Sequence, residues 1–104
     1  MSTPNNYDAA IAASESHKIL FENEKVRVME VTIQPGQTEP LHMHPYKSIT
    51  IVASPATLKY FDKEGNLISE VEVHGTTWTE PVELHSTENV GKTPFHGYRV
   101  ELKD

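Results

Sequence analysis

Turn-forming residues interrupt this chain at short, regular intervals, and that limits what the stretches between them can become. The breaks fall at Pro35-Gly36, Pro45, Ser54-Pro55, Asp62-Lys63-Glu64-Gly65-Asn66, Gly75, Pro81 and Gly91-Lys92. They leave segments of roughly 8–12 residues, the spacing of an all-β protein. Segment 26–33 alternates most clearly. Val26, Val28 and Glu30 fall on one face, and Arg27, Met29, Val31 and Ile33 on the other. Further strands are expected over 17–21, 41–44, 48–53, 56–61, 67–73, 76–80, 84–90 and 93–102, with a hairpin turn at 62–66. About nine short strands predict an all-β sandwich or barrel. Residues 1–16 are small and polar, either a frayed arm or a short helical turn laid against the barrel. Residues 17–104 then make up the one domain, since no repeat or linker divides them.

Composition narrows the chemistry. A chain of 104 residues buries roughly 60–70% of its unfolded surface, enough for one core. The absence of cysteine excludes disulfides, thiolate ligands and cysteine nucleophiles, so histidine and carboxylate are the metal ligands left. The net charge is -6 and the lysines and arginines form no cluster, which argues against nucleic acid and anionic membranes as partners. No apolar run approaches a membrane span, and residues 1–6 lack the basic and apolar parts of a signal peptide. A soluble cytoplasmic protein is the expectation. Neither a Ser-His-Asp arrangement nor a phosphate loop nor a carboxylate pair supports hydrolase or phosphotransferase chemistry.

Histidine placement carries the strongest functional signal. His42 and His44 are two apart on a strand-like run, so they share a face. His85, followed four residues later by Asn89, can join them from another strand. Imidazoles converging inside a small barrel make a transition-metal site.

These residues resemble the two motifs of the cupin superfamily, double-stranded β-helix (jelly-roll) barrels. In the first motif a glycine precedes His-x-His by five residues, as Gly36 precedes His42-Met43-His44. Its glutamate position falls on Ser48, and Ser54-Pro55 stands where a glycine is usual. In the second motif Gly75 is followed by five residues and Pro81, and His85 and Asn89 keep the final spacing. One residue is missing between, and Glu83 replaces a glycine. The likeness spans residues 19–103 and is to small single-domain bacterial members.

The resemblance implies a single jelly-roll barrel with His42, His44 and His85 as ligands of a divalent transition metal: Fe, Ni, Zn, Mn, Co or Cu. With Ser48 in the carboxylate position the three ligands would be neutral, and a glutamate placed at 48 is expected to tighten binding. Glu83 is either a substitute ligand or a solvated loop residue. Glu39 is the weaker substitute, because Pro40 disturbs its alternation with His42. Asn89 either steadies His85 or closes a local turn. His96 or Tyr46 is the expected proton-moving residue, His96 alternatively being a surface group. Ser48, Thr50, Trp78, Glu83, Asn89 and Tyr98 are the expected pocket residues. His17 and His74 match no motif and are expected at the surface, as are Glu101, Lys103 and Asp104. The expected partners are a small-molecule ligand, in particular a small organic acid, and a second copy of the chain docked on the Ile49 and Ile51 face. Two functions follow: a metal-dependent oxygenase or isomerase, or a non-catalytic binding or sensing module.

Overall fold

The structure, a computed structural model, describes residues 6–103. Its strands are β1 (His17–Glu22), β2 (Val26–Ile33), β3 (Thr38–His44), β4 (Lys47–Ser54), β5 (Ala56–Asp62), β6 (Leu67–Val73), β7 (Thr76–Thr79), β8 (Val82–Asn89) and β9 (Phe95–Leu102). They form two antiparallel sheets, ordered β1-β2-β9-β4-β7 and β3-β8-β5-β6. One short helix, α1 (Ala9–Ala12), precedes them. The chain is therefore all-β, as its punctuation predicts, and its two facing sheets are the jelly-roll that the resemblance implies. Among the described residues no helix is long and apolar enough to cross a membrane.

Local chemistry explains the elements. The β5–β6 hairpin closes because Asp62 Oδ1 accepts the backbone N–H groups of Glu64 and Asn66, while Gly65 takes a φ of 87°. Pro40 lies inside β3 but has no N–H to give. It is tolerated because β3 is an edge strand and its register shifts between Glu39 and His42. The strand after it resumes pairing at His42, opposite His85.

Residues 7–16 lie against the barrel, with α1 packed on β3. Asp8 caps α1 by accepting from Ala10 N. It also takes both terminal nitrogens of Arg27, at 2.8 and 3.2 Å. The arm is thus pinned by a bidentate ion pair, the stronger form of such contacts. Residues 1–5 and Asp104 lie outside the described residues.

The inner face of the five-stranded sheet grades from polar to apolar along the strands. By register, Arg27, Glu101, Ser48 and Thr79 form one row, and Met29, Arg99, Thr50 and Thr77 the next. Val31, Ile33 and Phe95 then join Ala56 and Leu58 of the opposite sheet as the apolar core. The cavity sits where these two regimes meet.

Candidate metal centre

Four imidazoles crowd the middle of the barrel. His42 and His44 come from β3, as their spacing predicts, and both are buried. His85, on β8 directly opposite His42, brings its ring centroid to 4.3 Å from that of His42 and 5.6 Å from that of His44. The fourth is His17, at the start of β1. Its ring lies 5.4 Å from His42 and 5.3 Å from His44. One ring nitrogen of each of His17, His42 and His44 falls within 4.8 Å of the others, close enough to hold a metal ion.

His17 is therefore a correction to the sequence reading, which placed it at the surface. It is buried because its strand partner is Val31, an inward residue of β2, and partners in register share a face. Residues 18–22 beyond it are exposed, so β1 shows no alternation that would have revealed this.

Glu39 is a second correction. The β-bulge at Pro40 inserts a residue and reverses the parity, so Glu39 and His42 both face inward. Glu39 accepts a hydrogen bond from Ser16 Oγ and lies 3.2 Å from His17 Nδ1. Its other oxygen is 3.8 Å from His42 Nε2. Burial pushes the Glu39 carboxyl up, but the bond and charge of His17, with His42 and Ser16, outweigh it and hold it below the ordinary range.

Glu101 is the third correction, buried completely rather than exposed. Arg27 Nε donates to one oxygen at 2.5 Å, and the other faces His44 Nδ1 at 3.8 Å.

The outward nitrogens of the other histidines are also engaged. Nδ1 of His42 lies 2.7 Å from Pro40 O, and Nδ1 of His85 lies 2.7 Å from Glu83 O. A backbone carbonyl accepts only from a protonated nitrogen, so both rings carry hydrogen on Nδ1 and leave Nε2 as a lone-pair donor. Metal-binding histidines are oriented in this way. Burial, reinforced by the neighbouring His85 and His17, holds His42 down to about 4 despite Glu39 and Pro40. Burial and the nearby Arg99 guanidinium push His44 well below its usual value, and burial lowers His85. Neutral imidazoles are the form that ligates. Buried imidazoles flanked by the Glu39 and Glu101 carboxylates, with no thiolate, suit a borderline divalent transition ion.

A cavity of about 250 Å³ opens beside the histidines. Thr50 and Tyr98, both expected there, contribute to its wall, with Glu39, Tyr60, Thr87 and Arg99. The other expected pocket residues lie elsewhere. Ser48 is buried but spent on Arg99, whose Nη2 donates to its Oγ at 3.0 Å. Asn89 clasps a turn: its Nδ2 donates to Ile33 O and Thr93 O, and its Oδ1 accepts from Gly91 N. Glu83 is exposed and offers the site only its carbonyl. Trp78 is exposed and donates to Glu80. Neither residue expected to move protons lines the cavity. His96 sits half-buried against Glu30 at 2.8 Å, and Tyr46 lies against the Arg27 guanidinium, 5.3 Å from its ring centroid. On β9 the odd residues Phe95, Gly97 and Glu101 are the buried ones. His96 lies on the even face, of which Tyr98 alone lines the cavity.

Comparison with known proteins agrees with this architecture. No protein-family model matches the sequence, and a search of curated proteins gave no match. Solved structures do match. A cupin domain from Bordetella pertussis Tohama I is 21% identical and superposes with a TM-score of 0.72, covering 85% of this chain and 92% of that one. A double-stranded β-helix protein from Klebsiella pneumoniae is 23% identical, with a TM-score of 0.62, over 84% of this chain and 75% of that one. A DMSP lyase from Ruegeria pomeroyi DSS-3 is 15% identical, with a TM-score of 0.57, over 79% of this chain and 40% of the lyase. With two facing antiparallel sheets and these structural relatives, the chain has the cupin fold, a double-stranded β-helix built around buried histidines that can hold a metal ion.

Proposed function

We propose that this protein binds one divalent transition metal among His17, His42, His44 and His85 and acts on a small organic acid in oxygenase- or isomerase-type chemistry. The observation that carries this reading is the cluster itself: four buried imidazoles, His42 and His85 with Nδ1 engaged by backbone carbonyls, beside a cavity. A bound ion would supply Lewis-acid or redox chemistry. The protein's own groups supply the rest. Glu39, held as an anion, is placed to accept a proton. Burial pushes the Tyr60 phenol up, so it stays protonated and can donate a hydrogen bond. These two take the roles first expected of His96 and Tyr46. That the fold can host enzymes is supported by the lyase among its structural relatives.

The second reading is a binding or sensing module using the same cavity without turnover. Oxygen uptake and product analysis with a panel of small acids and diketones separates the two, using protein purified without nickel resin. Metal-dependent turnover that is lost in His42→Ala supports the enzyme. Saturable binding with no turnover supports the module.

We also propose a homodimer. Phe21, Val28, Val100, Ile49 and Trp78 are successive register partners and form an apolar row across all five strands of the larger sheet, on its outer face. Phe21 and Trp78 at its ends are 54% and 53% exposed. A continuous apolar stripe of this kind is a surface that a partner covers. Sedimentation velocity tests it, a monomer at micromolar concentration being the contrary result.

A further inference from the structure

The cavity holds a charged group that the metal cluster does not use. Arg99 projects from the inner face of β9, in register with Thr50 on β4. It lines the cavity with the histidines. Among the described residues its guanidinium makes one hydrogen bond, to the neutral Ser48 Oγ, and no carboxylate lies within ion-pair distance. Its Nε is buried without a partner, and so is Thr50 Oγ1 beside it. Buried donors are nearly always satisfied, and an isolated buried cation is costly. The nearby carboxylates are already committed, Glu101 to Arg27 and Glu39 to Ser16 and His17.

We infer that Arg99 is the anchor for the carboxylate of a small monocarboxylic acid, with Thr50 Oγ1 assisting. The inference rests on reading this cavity as the small-molecule site. Two observations select the ligand class. A guanidinium edge with a free Nε matches the two coplanar oxygens of a carboxylate. The walls beyond Arg99 and Thr50 include Val31, Leu58, Val73 and Phe95, which suit a short apolar body.

Butyrate and its neutral isostere butyramide are the probes, titrated by ¹⁵N NMR into metal-loaded and chelator-treated protein. Wild type should prefer butyrate in both forms. Arg99→Met should abolish the preference in the chelated form and lower butyrate affinity at least tenfold in the loaded form, with metal content unchanged. Arg99→Lys, which keeps the charge but not the planar fork, should retain part of the preference. Equal binding of butyrate and butyramide by wild type overturns the proposal without reference to any variant. So does a preference that survives Arg99→Met in the chelated protein, or a butyrate affinity of the loaded protein that Arg99→Met leaves unchanged, because the metal would then hold the carboxylate. If the protein takes up no metal yet shows a preference that Arg99→Met removes, the anchor stands and the metal reading fails.

Discussion

One carboxylate oxygen of Glu101 stands 3.8 Å from Nδ1 of His44, and neither atom has a hydrogen-bond partner. The gap is too long for a hydrogen bond, yet the carboxylate's field favours hydrogen on that nitrogen. His44 then offers Nε2, as His42 and His85 do. Glu101→Gln should weaken metal binding by about 10–100-fold, the usual effect of losing a carboxylate behind a ligand. Metal titration against a competing chelator measures this. The same change leaves Asp8 as the one anion paired with Arg27, so the melting temperature should fall as well.

His17 and Glu39 join the cluster through β1 and the bulge in β3, outside the His-x-His motif. His17→Ala should lower metal affinity at least as much as losing a carboxylate behind a ligand, about 10–100-fold. His74→Ala, at an exposed position, should leave it unchanged. Equal affinities for wild type and His17→Ala would remove His17 from the donor set.

Acid should destabilise the metal-free protein in a defined window. Burial holds His42 at about 4 and depresses His44 and His85. Between an ordinary value of 6.5 and about 4, the unfolded chain binds protons that the folded chain refuses. Stability is thus complete above 6.5 and is lost as pH falls toward 4, His42 alone accounting for roughly 3 kcal/mol. Thermal melts in chelator from pH 7 to 4 should show the decline. For His42, proton competition with the metal should likewise fall nearer pH 4 than the 6.5 of a free imidazole.

Ser48→Glu separates the sequence-motif view from the structure. Ser48 stands beside Glu101 in register and against Arg99 by hydrogen bond. A glutamate there should pair with Arg99 and leave metal affinity close to wild type, while reducing the preference for carboxylates. A marked gain in metal affinity would mean that position 48 reaches the ion after all.

Much of the fold was legible because alternation and turn chemistry are local. β2 and β6 run over the residues expected, and the 62–66 turn closes through Asp62 and Gly65 as its composition requires. His42 and His44 were legible through spacing, and His85 through the resemblance to the cupin motifs. What escaped depends on pairing between distant strands. His17 turns inward because of Val31, and Glu39 because of a bulge that no alternation rule foresees. Arg99 and Glu101 were missed for a different reason. On β9 the apolar face, with Tyr98, Val100 and Leu102, reads as the inner one. Here this end of the interior is polar, so Arg99 and Glu101 point in, and of the even residues Tyr98 alone lines the cavity.

The central claim is most directly tested by elemental analysis of protein expressed without an affinity tag and purified without nickel or chelator. The account predicts close to one transition-metal ion per chain, falling to a small fraction in His42→Ala with the circular dichroism spectrum unchanged. Wild-type protein that contains no metal, and binds none on titration with Fe, Mn, Co, Ni, Cu or Zn, would contradict it.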